Sequence, residues 1–390
     1  MSVVNFCEAS SDVLVSLHEM LSSSQLLNSD SCDTEQYCFS IEYVLKSESA
    51  WVLFVQPSFS EEKLVIKLLC DYQDTRYNMG SINERQKCQC EALEWNRRFS
   101  PHVYYGLARV CDLDVQQKKI VLGQFISRPV QEELYLGSDY GLVMHRLSKE
   151  SQLDILLSKE GADFLQCYMQ PLVNHIAQIH RNCEALPPEE SAQWGSYEQL
   201  QKKLSHNLAL ADSVLEDNRG NYPEEFREAF LSLKDRMCKN FPWHVYKGYF
   251  EQRTHNRCIK RCHGDLKASN IWIDIQNNEG ELLSILDAID FNPMYCNIDT
   301  LSDFAMLIVD VQARTNSAMQ AESLLELYLK ETHQEDDISR AVLNYYLFEK
   351  AYVSAAISIV YSVAPEFGHA YLSVAKGRLD FLLEHLMLPA

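Results

Sequence analysis

The residues with the clearest chemical purpose are His263, Asp265 and Asn270, set in Arg261-Cys262-His263-Gly264-Asp265-Leu266-Lys267-Ala268-Ser269-Asn270-Ile271-Trp272. A His, an Asp two residues on and an Asn five beyond that, followed by a short apolar run, is the spacing of a loop that supports phosphoryl transfer. The Asp must reach the hydroxyl that attacks a γ-phosphate, and the Asn must reach a metal ion on the nucleotide. Both side chains therefore leave one loop in fixed relative positions. About twenty residues later, Leu282-Leu283-Ser284-Ile285-Leu286-Asp287-Ala288-Ile289-Asp290-Phe291 reads as an apolar strand that runs into acidic residues. A carboxylate at its end can fill the second metal-binding role. Each piece alone is common; the two in this order and at this distance are specific.

Other elements must supply the phosphate-binding cation. Tyr37–Leu45, Ala50–Gln56 and Lys63–Cys70 are short runs rich in β-branched and aromatic residues, and they read as antiparallel strands. A Lys inside such a strand ordinarily points to solvent. Lys67, in Leu64-Val65-Ile66-Lys67-Leu68-Leu69, is nevertheless the candidate for the nucleotide phosphates, because a phosphoryl-transfer architecture pairs a strand Lys with the phosphates and with a helix Glu. The helical pattern from Ser81 to Phe99 offers Glu84, Glu91 and Glu94 for that pairing, and Glu91 is the choice among them. Ser100-Pro101 ends this helix. Tyr104–Leu113, Lys118–Ile126 and Tyr140–Leu147 read as further strands, with Asp112 and Asp114 in a turn.

A helix is also expected over residues 9–24, ahead of a Ser/Asp-rich loop from Ser22 to Thr34. After Ser148 the pattern turns helical, over Ser151–Leu157, Ala162–Arg181, Ser196–Glu216, Pro223–Phe241 and Trp243–Arg253, with Pro187-Pro188-Glu189-Glu190 as a loop. His175 and His180 read as core or edge histidines. Asp303 reads most simply as a helix N-cap. Residues 317–331, 337–363 and 366–386 are helical throughout. The expected organisation is a β-rich lobe over 1–147 and a helical lobe over 148–390. The catalytic loop (261–272) and the metal-binding strand end (285–291) are expected in the second lobe, and the active site in the cleft between lobes.

Composition sets the outer limits. The 390 residues are 46% hydrophobic and 23% charged, as in an ordinary globular protein. A formal charge of -20 argues against a nucleic-acid or anionic-membrane surface. It is compatible with a cationic small substrate, although solubility alone explains it. Thirteen Cys, an odd number with no secretory signal ahead of them, suggest reduced thiols in a cytoplasmic setting. The pairs Cys88/Cys90 and Cys258/Cys262 match no standard zinc ligand spacing. No apolar run is long enough to cross a bilayer.

Several further stretches carry a resemblance. They are Glu91-Ala92-Leu93-Glu94-Trp95-Asn96-Arg97-Arg98-Phe99-Ser100-Pro101, Tyr104-Tyr105-Gly106-Leu107, Val143-Met144-His145-Arg146-Leu147 and Phe250-Glu251-Gln252-Arg253. To these are added His263-Gly264-Asp265-Leu266, Asn270-Ile271, Asp290-Phe291-Asn292-Pro293, Ile298-Asp299, Asp303-Phe304-Ala305 and the helices around Tyr345–Ile359. On them the chain resembles the aminoglycoside phosphotransferase-like branch of the protein-kinase-like superfamily. It is most similar to a poorly characterised bacterial group, some members of which are fused ahead of a P-loop ATPase domain; no P-loop motif occurs here.

The resemblance implies an α+β, protein-kinase-like bilobal fold and an ATP- and Mg2+-dependent transfer to a hydroxyl of a small molecule. It implies Asp265 as catalytic base, His263 as buttress of the loop and Asp303 as its brace. Asn270 and Asp290 would hold magnesium, with Asp287 as the alternative to Asp290. Lys67 would hold the nucleotide phosphates, and Met144 falls among the nucleotide-binding positions. Lys267 stands where the group often has His; a Lys there is typical of protein kinases, where it approaches the γ-phosphate. No Gly-rich loop occurs in the first three strands. A catalytically silent nucleotide-binding or scaffold protein of the same fold is the alternative, and a protein kinase a more distant one. The acceptor and the oligomeric state are not encoded in any motif.

Overall fold

The computed structural model describes residues 37–47, 49–57, 62–73, 78–216, 223–274, 283–360 and 365–385. The helix expected over 9–24 and the loop after it lie outside these residues. Strand β1 (Tyr37–Lys46) buries Tyr37, Phe39 and Ile41 and exposes Ser40 and Glu42, the period of two that a half-buried strand requires. β2 (Ala50–Gln56), β3 (Leu64–Leu69), β4 (Tyr104–Asp114), β5 (Lys119–Ile126) and β6 (Tyr140–His145) join it. All pair antiparallel in the order β1-β2-β3-β6-β4-β5, and β1 pairs back onto β5 to close a barrel. Asp112 and Asp114, expected in a turn, instead sit in β4 opposite Val121 and Lys119. The turn follows them, and Asp114 accepts from the Gln117 N–H at 2.8 Å.

The barrel interior is filled by Phe39, Ile41, Leu53, Val55, Leu64, Ile66, Leu68, Ile120 and Leu122 among others. On β3 the inward residues are Leu64, Ile66 and Leu68, so Val65 and Lys67 face outward. The outer face is covered by helix α1 (Ile82–Asn96), whose Ala92 and Leu93 pack with Val65, Tyr104, Leu107, Leu142 and Met144. A capping box between Ser81 and Glu84 starts α1. Glu84 is thereby committed to the helix end.

The remainder is mainly helical: α2 (Leu153–Glu160), α3 (Ala162–Asn182), α4 (Pro188–Gly195), α5 (Tyr197–Glu216), α6 (Glu224–Asn240) and α7 (Trp243–His255). The short strands β7 (Ile259–Arg261), β8 (Ile271–Ile273) and β9 (Leu283–Ile285) come next. Then follow α8 (Pro293–Cys296), β10 (Asn297–Asp299), α9 (Thr300–Thr315), α10 (Ala318–Thr332), α11 (Asp337–Val360) and α12 (Pro365–His385). The expected loop over Pro187–Glu190 is corrected: Pro187 is the N-cap and Pro188 the first residue of α4, with Glu189 and Glu190 in its first turn. Proline is tolerated there because a first-turn N–H has no helical partner to lose, and acidic residues favour that end.

Helix α9 is buried almost all round, with Leu301, Phe304, Leu307, Ile308, Val309 and Val311 at zero exposure. Any charge it carries must therefore find partners inside the protein. Its N-cap is Asp299, which accepts from Leu301 N–H at 2.9 Å, and not Asp303 as expected. The Asp299 carboxylate also takes two bonds from the buried Arg253, at 2.8 and 2.6 Å.

By contact density the chain divides into two compact units. One is Met1–Ser148 with Ser284–Asn292, and the other is Lys149–Leu283 with Pro293–Ala390. No helix among the described residues is long and apolar enough to cross a membrane.

Candidate active site

In the second unit, β7 pairs with β10 and delivers the chain into the loop that begins at Cys262. The Cys262 N–H donates to the Cys296 carbonyl at 2.6 Å. Gly264 adopts φ +86, a backbone region where a side chain would be strained. This turn aims two successive N–H groups, of His263 and Gly264, at the Asp303 carboxylate, at 3.0 and 2.8 Å. His180 of α3 adds a third contact, with Nε2 3.0 Å from the same carboxylate and Nδ1 2.6 Å from the Tyr328 hydroxyl. An ionised carboxylate only accepts, so Nε2 carries the proton. Burial alone would raise the Asp303 carboxyl. The His180 bond, the neighbouring His180 and His263 and the Gly264 N–H instead hold it below its ordinary value.

A second buried carboxylate on α9 fixes the far end of the loop. Asp310 accepts from the Ala268 N–H at 2.8 Å, from Arg314 Nε at 2.9 Å, and from the Tyr371 hydroxyl. Gln152 donates to the Ser269 carbonyl. His263 is fully buried, and its Nδ1 accepts from the Asp265 N–H at 3.3 Å. Asp265 itself remains accessible, with 29% of its side chain exposed. Asn270 Nδ2 donates to the Asp265 carbonyl at 2.9 Å and to its Oδ2 at 3.1 Å. Lys267 Nζ lies 2.7 Å from the same Oδ2. The loop thus gathers a carboxylate, an amide and an ammonium on a support made of buried aspartates.

In the first unit, Lys67 Nζ donates to Asp287 Oδ1 at 2.9 Å. Asp287, with Asp290 adding to it, holds the Lys67 ammonium above the usual lysine value despite opposing burial. Asp287 is a non-glycine residue at φ +63, a conformation that needs support from its surroundings. The Asp287 N–H donates to the Tyr104 hydroxyl at 3.0 Å, which in turn donates to Asn96 Oδ1 at 3.2 Å. The Ala288 N–H donates to Asn96 at 2.9 Å, and Ser100 bonds both the N–H and the carbonyl of Ile285, at 2.7 and 2.9 Å. Met144 lies opposite Val65 in the β3–β6 ladder, on the outer face that Lys67 also shares.

The expected partnership of Glu91 with Lys67 is corrected. Glu91 is half exposed and lies 3.8 Å from Lys87, one helical turn away, while Glu94 lies 3.5 Å from Arg98. The helix residue turned toward β3 is Gln89, buried, whose amide donates to the carbonyls of Lys67 and Tyr140 at 2.9 and 3.1 Å. The reason is helical phase: Gln89, Ala92, Leu93 and Asn96 share the buried face, and Glu91 does not. Sequence reasoning also gave no role to Asn96, Tyr104 or Asp310, and it read His180 as a core or edge histidine, which its burial bears out, without its bond to Asp303. Asn96 and Tyr104 stand inside stretches that carry the resemblance, and a polar residue within the apolar run of α9 marked Asp310. His180, Cys262 and Asp303 bring their ligand-type atoms within 4.8 Å of one another. In this protein Asp303 is committed to the loop. Burial raises the Cys262 thiol well above its ordinary value and keeps it protonated.

No family model matches the chain, and no curated protein sequence does. Among solved structures, the choline kinase from Cryptosporidium parvum Iowa II superposes with a TM-score of 0.53 at 10% identity, over 90% of this chain and 92% of that one. A GDP complex of an aminoglycoside 2'-phosphotransferase superposes at 0.46 and 12% identity, over 88% and 93%. An ethanolamine kinase from Plasmodium vivax superposes at 0.43 and 11%, over 87% and 82%. With its β-rich first part, its helical second part and its superposition on the choline kinase, the chain has the protein-kinase-like fold.

Proposed function

We propose that the protein is an ATP- and Mg2+-dependent phosphotransferase that moves a γ-phosphate to a hydroxyl of a small molecule. The observation that carries this reading is Asp265, an accessible carboxylate held by Asn270 and Lys267 on a loop braced by buried Asp303 and Asp310. Asp265 takes the proton of the acceptor hydroxyl as its oxygen bonds to phosphorus and the phosphorus–oxygen bond to ADP breaks. Lys267, 2.7 Å from Asp265, lies close to that exchange and limits the build-up of negative charge.

The residues suit a nucleotide with its metal. Lys67 is an ammonium beside carboxylates, and Asp287 occupies a backbone state of the kind that recurs at ligand clamps. Asn270 spends its Nδ2 on Asp265, which leaves Oδ1 as the end not engaged there and of the type magnesium binds. Asn270, with Asp290 or Asp287, would hold the magnesium, and Lys67 the phosphates, with Met144 among the nucleotide-facing positions. Bound magnesium supplies neutralisation of the phosphate charge. The choline kinase that shares the fold makes a small-molecule acceptor the class to try first.

A silent nucleotide-binding protein is favoured by one observation: Lys67 is paired with Asp287 rather than with a helix Glu. Thermal unfolding with ATP, with and without magnesium, separates the readings, because a ligand bound to the folded state raises the melting temperature. The proposal expects a magnesium-dependent rise that is lost in Asn270→Ala and Asp290→Ala. It also expects ADP release that Asp265→Ala abolishes while nucleotide binding persists. No shift with any nucleotide would overturn it, and turnover by Asp265→Ala would overturn the base assignment.

A further inference from the structure

Two lysines are buried close together in the helical unit, with Glu349 beside them and the charge of Asp303 also felt there. Lys203 of α5 is 6% exposed, Lys350 of α11 is 7% and Glu349 is 4%. Helices α5 and α11 pack against each other, which brings the two ammonium-bearing chains together. The charge of Lys350 acts on the Lys203 amine, and Lys203 Nζ lies 5.8 Å from the centre of the Tyr295 ring, inside cation–π range. Glu349 Oε2 is 3.6 Å from Lys350 Nζ, too far for a hydrogen bond, and that oxygen has no hydrogen-bond partner among the described residues. One turn earlier on α11, the Tyr345 hydroxyl, 1% exposed, also lacks one among them.

A buried ammonium without an opposite charge is costly, and a protein normally pairs or neutralises it. Burial, with Lys350 next, lowers Lys203 to about 7, and the carboxylates of Glu349 and Asp303 offset this only in part. The cluster also adjoins the catalytic loop. Tyr295 precedes Cys296, whose carbonyl takes the Cys262 N–H at the start of that loop. The charge of Asp303, which holds the His263 and Gly264 N–H groups, is felt at Lys203.

We propose that Lys203 and Lys350 form an anion-holding subsite for the acceptor, which is therefore a hydroxyl compound carrying a phosphate or carboxylate group. This deepens the phosphotransferase reading and rests on it. It runs against the cationic small substrate with which the net charge is compatible, because two lysine amines at one point outweigh a diffuse surface field at contact distance. An anionic group supplies the charge that Glu349 alone does not, and the Tyr345 hydroxyl stands one turn away on the same helix.

The test uses the full chain with Mg2+-ATP and three sets of acceptors: glycerol 3-phosphate and gluconate, glycerol and galactose, choline and glucosamine. Two readouts are taken, ADP release and ligand-induced thermal shift, the second also in Asp265→Ala. The expected result is ADP release with an anionic acceptor, and a shift by that acceptor that persists in Asp265→Ala. The shift falls at least tenfold in apparent affinity in Lys203→Met and in Lys350→Met, and Lys203→Arg restores it. Comparison of the phosphate with the carboxylate compound identifies which anion the pair prefers. Release with choline, glucosamine or the neutral compounds alone overturns the subsite and leaves the phosphotransferase standing. An anion-induced shift that needs both lysines but yields no ADP release sustains the subsite and sinks the phosphotransferase reading. Absence of any anion-induced shift, or a shift unchanged in both Met variants, overturns the subsite. Circular dichroism on each variant confirms that its fold is retained, and the Arg variant carries the test if a Met variant unfolds.

Discussion

The two sets of candidate residues are held in different ways. Around Asp265 the support is deep: Asp303 and Asp310 have fully buried side chains, each accepting several hydrogen bonds, and both belong to the buried helix α9. Around Lys67 the support is shallow. Its partner Asp287 has 66% of its side chain exposed, and the backbone there is fixed by Tyr104, Asn96 and Ser100 rather than by buried charge. A group that must be aimed before the reaction is built into the core, since misplacement by about 1 Å can cost a hundredfold in rate. A group that meets a ligand carrying its own charge can stay near the surface and exchange partners.

Substitutions should separate the two regions. The largest effect is expected from Asp303→Ala, which leaves His180 and two loop N–H groups buried without their acceptor. Breaking such a buried charged contact costs about 3–5 kcal/mol, read from the midpoint of urea unfolding. A loss under 1 kcal/mol would show that the loop does not depend on α9. Asp310→Ala removes charged hydrogen bonds at the other end of the loop and should cost about 2–3 kcal/mol in the same assay. Lys67→Ala, by contrast, breaks a partly exposed ion pair and should change stability by less than about 1 kcal/mol while lowering nucleotide affinity tenfold or more. A stability loss as large as that of Asp303→Ala would erase the contrast.

Acid titration sharpens the contrast further. Asp303 has its folded-state value below the ordinary 3.8. Its stabilisation is therefore complete above that value and is lost as the pH falls through the lower folded-state value. Asp303→Asn should be less stable at neutral pH and show a flatter acid limb. The smallest effect is expected from Asp287→Gly. The substitution removes the Lys67 partner but relieves a left-handed backbone at φ +63, and the net change in stability should stay within about 1 kcal/mol.

Much of this was legible in the residues themselves. The strands around Phe39, Leu53 and Ile66 announce themselves by alternation, because one face is buried and the other is not. That Asp265 and Asn270 leave one loop together was legible from their spacing of five residues, which places the Asn270 amide within a hydrogen bond of the Asp265 carboxylate. Glu91 was misassigned because three glutamates lie on one helix, and only the helical phase, set by packing against Tyr104 and Met144, decides which face turns inward. The role of His180 could not be read locally, since its partners Tyr328 and Asp303 are more than a hundred residues away in the chain. Pro187-Pro188 read as a loop because two prolines resemble a break, whereas the second starts a helix.

Helix α9 carries its three aspartates, with the cap, at 299, 303 and 310. Their burial has a consequence for any unbiased mutational scan. Variants at Asp303 and Asp310 would be depleted as severely as those at Asp265, yet for a different reason. With Asp265 as the proposed base, its loss leaves a full complement of protein without that activity. Loss at the α9 positions lowers abundance itself, because a few kcal/mol moves a marginally stable chain into the reach of cellular proteases. Immunoblots of the depleted variants would tell the two apart without an assay of any substrate.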